Sequence, residues 1–252
     1  MSGQPMPPFA LPSVMTTTSA TACSVEQAPG PAHAPAASTD EPALREAGLA
    51  AIRRLDALGM NRGSTGNLSL RCGAGMLITP TGMGADDLRA EDFVWLGDDG
   101  TLRGAWQPSS EWHFHRAVYT ARPELQAVVH THSVNATAVA CLRRGLPAFH
   151  YMVAVAGGDS VPCVDYFTFG TEALSRAVAE AMKDRHACLL ANHGLIAAGT
   201  TLAHAMKVTQ EIESLCEVYL KALAVGEPAI LGTAQMAEVI EKFRHYGRSA
   251  AR

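Results

Sequence analysis

The spacing of apolar residues along the chain predicts a mixture of helices and strands. Leu49, Ile52 and Leu55 recur at helical spacing between a capping residue, Thr39 or Asp40, and a terminating Gly59, which predicts a first helix. Similar patterns predict further helices at about residues 109–122, 133–145, 171–185, 201–224 and 233–245. Short apolar runs bounded by turn residues predict strands in the segments NLSLR, GMLITP, FVWL, AVVHTH, VPCVDYF and ACLLANHGLIAAG.

The order of these elements predicts a single α/β domain. Strands and helices intermix without the strict βαβ alternation of a parallel barrel. We therefore expect a three-layer α/β/α domain in which helices cover both faces of a central sheet. The last strand segment, residues 187–199, fits either a pair of strands or one bent strand.

Residues 1–38 differ in composition from the rest of the chain. Seven of the 14 prolines lie there, among Ala, Ser, Thr and Gly. Such a segment buries too little apolar surface to offset the entropy lost on ordering. We expect residues 1–38 to be a disordered Pro/Ala-rich extension, followed by a folded domain over residues 39–252. A docking tail and a plain unstructured extension both remain open as its role.

Composition limits the classes of function. The net charge is −4 without a block of Lys or Arg, which argues against a protein that coats nucleic acid. The sequence contains no run of about 18 apolar residues, so we expect no membrane span. The N-terminus lacks the pattern of a secretory signal. The six cysteines form no C-x-x-C pair. We therefore expect a cytoplasmic protein with reduced cysteines, of which Cys141, Cys188 and Cys216 lie in the core.

Two histidines in the segment AVVHTHS are candidate metal ligands. Residues i and i+2 of a strand point the same way, so His130 and His132 can reach one ion. His113 and His115 have the same spacing on a predicted helix, where they do not share a face. His193, at a bend after an apolar strand, is a third candidate. Three histidines without a fourth protein ligand are typical of an open zinc site, although the H-x-H pair alone also fits ordinary buried histidines.

Two other families with an H-x-H pair do not fit. A cupin carries a Glu a few residues beyond the pair, whereas residues 134–137 here are Val, Asn, Ala and Thr. An amidohydrolase needs an eight-stranded barrel and a late metal-binding Asp, which the element order does not supply.

Three loops contain groups that suit an anion. Ser109, Ser110 and Glu111 stand at a predicted helix start, where free N–H groups and hydroxyls can hold a phosphate beside an acidic side chain. The segments GSTGNLS (63–69) and TPTGM (79–83) are turns rich in Gly and Thr that can also surround phosphate oxygens. An ordinary helix cap and ordinary turns are the alternative explanations. Neither turn matches an ATP or dinucleotide motif.

The motifs together resemble the class II aldolase and adducin family. The likeness covers residues 43–247 and includes, in the family's order, the segments GNLS, LITPTGM, SSEW, AVVHTHS, FHYMVAVAGG, VPCVDYFTFGT and NHGLIA. The resemblance implies a central, mostly antiparallel sheet covered by helices. It also implies a homotetramer with active sites at the subunit interfaces.

The resemblance assigns roles to individual residues. It implies that one Zn²⁺ per subunit is held by His130, His132 and His193, and by Glu111 when no substrate is bound. Glu111 is then the catalytic acid/base, with a pKa expected to be raised by burial. Tyr151 matches a tyrosine that donates a proton. The resemblance implies that the substrate phosphate is bound by Gly66, Asn67, Thr81, Gly82, Ser109 and Ser110. It implies that the aldehyde end of the substrate is lined by Phe169 and Tyr246.

The implied reaction is the reversible cleavage of a ketose 1-phosphate, with L-fuculose 1-phosphate as the expected substrate, to dihydroxyacetone phosphate and L-lactaldehyde. A zinc ion chelated by the carbonyl and hydroxyl oxygens would stabilise the negative charge that forms. Thr131 and Asn192 differ from the Asn and His of the fuculose-phosphate enzymes, so the aldehyde remains open. One alternative within the family is a sugar-phosphate 4-epimerase, which carries Asp in place of Glu111. Another is a sugar-acid-phosphate decarboxylase or dehydratase. The third is a non-catalytic adducin-like scaffold, in which the metal ligands are expected to be lost.

Overall fold

A computed structural model of the protein describes Ser38 and residues 40–245. The helices of this part of the chain are α1 Glu41–Ala57, α2 Trp112–Ala121, α3 Val134–Cys141, α4 Glu172–Ala181, α5 Leu202–Leu223 and α6 Thr233–His245. Its strands are β1 Asn67–Arg71, β2 Gly75–Ile78, β3 Val94–Gly97, β4 Leu102–Arg103, β5 Ala127–Thr131, β6 Cys163–Val164, β7 Ala187–Leu190 and β8 Gly194–Gly199. Short 3₁₀ turns cover Ala90–Asp92 and Tyr151–Ala156.

Side-chain caps fix the starts of three helices. The Asp40 carboxylate accepts a hydrogen bond from the Ala43 N–H at α1. Thr171 caps α4 and Thr201 caps α5 in the same way, each through its hydroxyl. These caps satisfy N–H groups that have no partner within their own helix.

The strands form one sheet in the order β4-β3-β2-β1-β5-β8-β7-β6. Among the described strands only the β6–β7 pairing is parallel. In the middle of the sheet, His130 of β5 pairs with Asn67 of β1 on one side and with Ile196 of β8 on the other. This register places three segments that carry candidate site residues next to one another.

Helices cover both faces of the sheet, as the alternation of side chains in β5 shows. Val128 packs into an apolar cluster with Phe114 and Val118 of α2 and with residues of α4. The neighbouring Ala127 and Val129 point to the opposite face, where α1 packs and where α5 contacts both β5 and β8. The predicted three-layer α/β/α domain with a mostly antiparallel sheet is confirmed.

Two element boundaries differ from the sequence-based predictions. Helix α2 begins at Trp112 instead of Ser109, because the Ser109 N–H donates to the Thr79 carbonyl and Pro108 bridges to Pro80. The chain therefore stays extended against the end of β2 until residue 109. The segment VPCVDYF contains a strand of only two residues, β6, since only Cys163 and Val164 pair with β7.

The cysteines only partly follow the expectation. Cys188 and Cys216 are buried and free, as predicted, whereas Cys141 at the end of α3 is exposed. No helix among the described residues is long and apolar enough to cross a membrane. The predicted disordered extension lies outside the described residues except for Ser38.

Candidate metal centre and active site

Four side chains that can bind a metal converge at one edge of the sheet. Glu111 stands at the N-cap position of α2, and His130 lies in β5. His132 follows the last residue of β5, and His193 lies in the turn that joins β7 to β8. One potential ligand atom from each residue lies within 4.8 Å of the others. The structure thus brings together all four residues that the resemblance assigned to the metal.

The three imidazole rings are arranged almost symmetrically. Their centroids are separated by 4.8 Å (His130–His132), 4.8 Å (His130–His193) and 4.9 Å (His132–His193). The Nε2 atoms of His130 and His132 lie 3.0 Å apart, so the two nitrogens face each other. Although β5 ends at Thr131, His132 keeps the orientation that the strand spacing predicted.

A backbone contact fixes the tautomer of His130. Its Nδ1 lies 3.0 Å from the carbonyl oxygen of Leu195, which can only accept a hydrogen bond. A proton therefore resides on Nδ1, and Nε2 faces the centre of the cluster. The neighbouring strand can approach this closely because residue 194 is Gly: a Cβ there would lie 2.4 Å from the carbonyl oxygen of Thr131.

The environment of Glu111 lowers the pKa of its carboxyl group. Burial raises this pKa, but the imidazoles of His130 and His193 outweigh burial and bring it below its ordinary value. Both rings approach the carboxylate to 3.2 Å, through Oε2 and Oε1 respectively, and the Asn67 amide donates to Oε2 at 2.9 Å. The expectation of a raised pKa was therefore wrong, because it considered burial without the surrounding nitrogens.

His132 is neutral at physiological pH. Burial, followed by the nearby His130 and His193, lowers the pKa of its ring to about 4. A neutral imidazole is the form that binds metals, since protonation removes the lone pair.

A cavity of about 340 Å³ lies in front of the cluster. His130 is fully buried beneath it. The predicted site residues that line the cavity are Gly66, Asn67, Thr81, Gly82, Ser109, Ser110, Glu111, His132, Phe169 and His193. All six predicted phosphate contacts and the predicted aldehyde contact Phe169 are thus in the same cavity.

Unpaired backbone donors make the cavity suitable for an anion. The N–H groups of Gly66, Gly82 and Ser110 form no hydrogen bond with the described part of the chain. Gly66 has φ +75°, and a Cβ there would lie 2.3 Å from Asn61 Oδ1. No Lys or Arg of the described residues lines the cavity. An anion bound there would therefore be held by N–H groups, hydroxyls and an amide.

The predicted proton donor Tyr151 does not line this cavity. Tyr151 begins a 3₁₀ turn, is half exposed, and lines a separate groove with Lys207, Lys242 and Phe243. Tyr246 lies outside the described residues.

Sequence reasoning missed several residues of the cavity. Tyr166 and Phe167 line it beside Phe169, and the signal was the aromatic run that follows the short strand β6. Asn192, noted only as a difference from related enzymes, also lines the cavity and adopts a left-handed conformation with φ +56°. Its side chain accepts a hydrogen bond from Arg143 at 2.9 Å.

The donor set fits a divalent metal ion. Glu111 Oε1 is buried and has no hydrogen-bond partner with good geometry among the described residues, although a ring nitrogen lies 3.2 Å away. The Nε2 atoms of His130 and His132 also face each other within the cluster. Three imidazole nitrogens and one carboxylate form a set of ligands that suits Zn²⁺ and other divalent transition metals.

Comparisons with known proteins agree with this geometry. Residues 46–220 match the model of the family described as Class II Aldolase and Adducin N-terminal domain. The chain is 50% identical to a 5-methylthioribulose-1-phosphate/5-deoxyribulose-1-phosphate aldolase of Rhodospirillum rubrum over 82% of this chain and 94% of that protein. It is 48% identical to the L-fuculose phosphate aldolase of Escherichia coli over 75% of this chain and 89% of that protein.

Solved structures share the fold as well. A structure of an L-fuculose 1-phosphate aldolase matches with a TM-score of 0.78 and 36% identity, over 83% of this chain and 98% of that one. YgbL of Escherichia coli, described as a putative aldolase/epimerase/decarboxylase, matches with a TM-score of 0.71 and 32% identity, over 79% of this chain and 99% of that one. The chain therefore belongs to the class II aldolase and adducin family.

Proposed function

We propose that this class II aldolase is a lyase that uses one Zn²⁺ ion per subunit to cleave a ketose 1-phosphate reversibly into dihydroxyacetone phosphate and an aldehyde. The observation that carries the proposal is the cluster of Glu111 and three histidines that opens onto a cavity lined with anion-binding groups. Class II aldolases depend on a metal, and the cluster contains side chains that can bind one.

The proposed metal ligands are His130, His132 and His193, with Glu111 as a fourth ligand in the absence of substrate. A bound divalent ion supplies Lewis acidity that draws electrons from the substrate carbonyl. His130 is held in the ligating tautomer by the Leu195 carbonyl, so one ligand is pre-oriented before binding.

Glu111 is the proposed acid/base. In the condensation direction its carboxylate removes a proton from the hydroxyl-bearing carbon next to the carbonyl of dihydroxyacetone phosphate. In cleavage it returns a proton to this carbon after the carbon–carbon bond breaks. The lowered pKa keeps Glu111 ionised at neutral pH, as the proton acceptor requires. A phosphate dianion in the same cavity raises this pKa, because like charges disfavour ionisation.

The substrate phosphate is proposed to bind at the loops that precede β1, follow β2 and precede α2. The proposed contacts are Gly66, Asn67, Thr81, Gly82, Ser109 and Ser110. The free N–H groups of these loops support this role, and their position beside Glu111 brings the reacting carbon close to the carboxylate.

A second copy of the chain is proposed to complete the site. Tyr151 is the proposed proton donor to the aldehyde oxygen, yet it does not line the cavity of its own chain. In the proposed homotetramer, Tyr151 and Tyr246 of one subunit reach the cavity of its neighbour, where Phe169 lines the aldehyde end. We also propose that the enzyme acts in the cytoplasm, since free cysteines are compatible with a reducing compartment.

The aldehyde end is proposed to accept an apolar group. Tyr166, Phe167 and Phe169 line one side of the cavity, and aromatic side chains favour a methyl or methylthio group over a hydroxyl. L-Fuculose 1-phosphate, which releases L-lactaldehyde, is the first candidate substrate. A 5-deoxy or 5-methylthio pentulose 1-phosphate is the second, supported by the 50% identical relative named for these substrates.

A substrate panel tests the proposal. Zinc-loaded protein is incubated with L-fuculose 1-phosphate, 5-methylthioribulose 1-phosphate and 5-deoxyribulose 1-phosphate, and the released dihydroxyacetone phosphate is measured. L-Rhamnulose 1-phosphate serves as a stereochemical control for the first compound. We expect cleavage of at least one of the three candidates. Absence of dihydroxyacetone phosphate from all of them would contradict the proposed substrate class.

A further inference from the structure

A continuous chain of buried polar side chains runs from the sheet interior to the Glu111 carboxylate. Tyr119 and Ser69 lie at its inner end, with their hydroxyl oxygens 3.0 Å apart. Ser69 Oγ is 2.8 Å from His115 Nδ1, and His115 Nε2 is 2.6 Å from Asn67 Oδ1. The Asn67 Nδ2 group then donates to Glu111 Oε2 at 2.9 Å.

With a neutral His115 ring, one arrangement of donors and acceptors satisfies the contacts between Glu111 and Ser69. The Asn67 amide presents its NH₂ group to the Glu111 carboxylate, which accepts the hydrogen bond. The Asn67 carbonyl oxygen then faces His115 and requires a donor, which places the ring proton on Nε2. His115 Nδ1 in turn accepts the Ser69 hydroxyl proton. Tyr119 donates to the backbone carbonyl of Ser69 at 3.0 Å, which anchors the inner end.

The His115 ring is neutral and is not a metal ligand. It is completely buried, and burial together with the nearby His130 lowers its pKa to about 3. Both of its ring nitrogens form hydrogen bonds, Nδ1 with Ser69 and Nε2 with Asn67. Buried polar side chains cost stability unless they form hydrogen bonds. The pairing of Asn67, His115 and Ser69 beneath the site therefore indicates an arrangement that the sequence specifies.

We propose that His115 is a positioning residue that fixes the Asn67 amide with its NH₂ group toward Glu111 and the cavity. This inference rests on the proposed function, in which Glu111 moves the proton and Asn67 also contacts the phosphate. Without the donor at His115, the Asn67 carbonyl oxygen has no partner. The amide can then turn and present that oxygen to the negatively charged carboxylate, which misplaces both groups.

A set of variants tests this role. His115→Phe keeps a ring in the core and removes both nitrogens. We expect kcat/KM to fall about 10- to 100-fold, the usual cost of losing an outer hydrogen-bond partner, while the zinc content is unchanged. His115→Gln retains an amide donor, so it should recover part of the loss.

Tyr119→Phe is the matched control. It removes a hydroxyl from the same buried chain but leaves the contact between His115 and Asn67 intact. It should lower the melting temperature while kcat/KM stays within about twofold of wild type, because its hydroxyl touches neither group. An equal loss of turnover in Tyr119→Phe and His115→Phe would indicate a general structural role and overturn the proposal.

A double-mutant cycle separates action through Asn67 from a general defect. In the Asn67→Ala background, His115→Phe should cause little further loss of turnover, since the group that it positions is already absent. Full additivity of the two losses would contradict the proposal.

The imidazole tautomer supplies a readout that is independent of activity. In protein labelled with ¹⁵N at histidine, we expect His115 to be neutral with the proton on Nε2. A proton on Nδ1, or a charged ring at neutral pH, would overturn the assignment. If wild-type protein cleaves no substrate of the panel, the proposed function fails, and the tautomer measurement still decides whether His115 is a donor to Asn67.

Discussion

Two groups of histidines lie at opposite ends of strand β7 and resemble each other in isolation. At one end, His193 approaches His132 and His130, with ring centroids 4.8–4.9 Å apart. At the other end, His186 approaches His204 with centroids 4.9 Å apart. Burial lowers the pKa of His132 and of His186 to about 4 in each case.

The two groups differ in what accompanies the rings. At the first end, three ring nitrogens and a carboxylate lie around a common centre, and a backbone carbonyl fixes a proton on Nδ1 of one ring. At the second end the two rings have a carboxylate nearby, but Glu124 pairs with Arg122. His186 Nδ1 is buried without a hydrogen-bond partner among the described residues. Burial and proximity of histidines are therefore insufficient for a metal site. Convergence of ligand atoms with a carboxylate distinguishes the two ends.

The largest expected effect comes from removing the carboxylate at the first end. Glu111→Gln keeps the shape of the side chain and the three imidazoles, but it removes the proton acceptor. We expect turnover to fall about 10²- to 10⁴-fold, the usual contribution of a general acid/base, with little loss of metal. Initial rates of dihydroxyacetone phosphate release give the measurement.

Glu124→Gln is the control for this change. Glu124 is a carboxylate near His186, where it contacts Arg122 rather than a histidine cluster. Turnover should be unaffected. Comparable rates for Glu111→Gln and wild type would remove Glu111 from the mechanism.

The next effect concerns metal affinity. His132→Ala removes one of three ring ligands, so we expect the affinity for zinc to fall more than about 100-fold, beyond the cost of losing an outer hydrogen-bond partner. His204→Ala removes a ring of similar burial at the other end of β7 and should leave zinc binding unchanged. Titration with a competing chelator measures both affinities. Equal zinc affinity in the two variants would contradict the distinction between the two ends.

The smallest expected effect is on stability at acid pH. The folded-state pKa of His186 is about 4, below the value of about 6.5 for an unfolded His. The unfolded chain therefore binds the proton more readily, and stability is lost as the pH falls from about 6.5 toward 4. His186 is partly exposed, so we expect it to account for about 1 kcal/mol of the stability lost between pH 7 and 5.

Denaturant titrations of the metal-free protein at pH 7 and pH 5 measure this loss. His186→Gln has no group that titrates in this range, so the pH dependence of its unfolding free energy should be smaller than that of wild type. The same pH dependence in both proteins would show that His186 does not contribute.

The candidate ligands of the first end could be predicted from the sequence because strand spacing and a family motif both indicated them. His130 and His132 are two residues apart at the end of a strand, and His193 was a candidate from its place at a bend after another strand. The resemblance then assigned Glu111 to the same ion. The resemblance also implied the contacts that line the cavity, from Gly66 to Phe169. Local patterns were informative here because each motif stands at the end of a regular element.

Other features depend on contacts between distant segments and could not be predicted. The direction of the Glu111 pKa shift requires knowledge of His130, His193 and Asn67 around the carboxylate. The role of His115 depends on the β1–α2 contact, since its partners Asn67 and Ser69 are more than 40 residues away in sequence. The start of α2 was placed too early, because the pairing of Pro108 with Pro80 is also a tertiary contact.

Metal removal tests the central claim most directly, namely that the cluster of Glu111, His130, His132 and His193 performs metal-dependent aldol cleavage. Protein is stripped with a chelator, freed of it, and assayed for dihydroxyacetone phosphate release while zinc is added back. We predict that activity disappears on stripping and returns to a plateau at one zinc per chain, whereas His132→Ala does not recover at the same zinc concentration. Full turnover by stripped protein that contains no divalent metal would contradict the account.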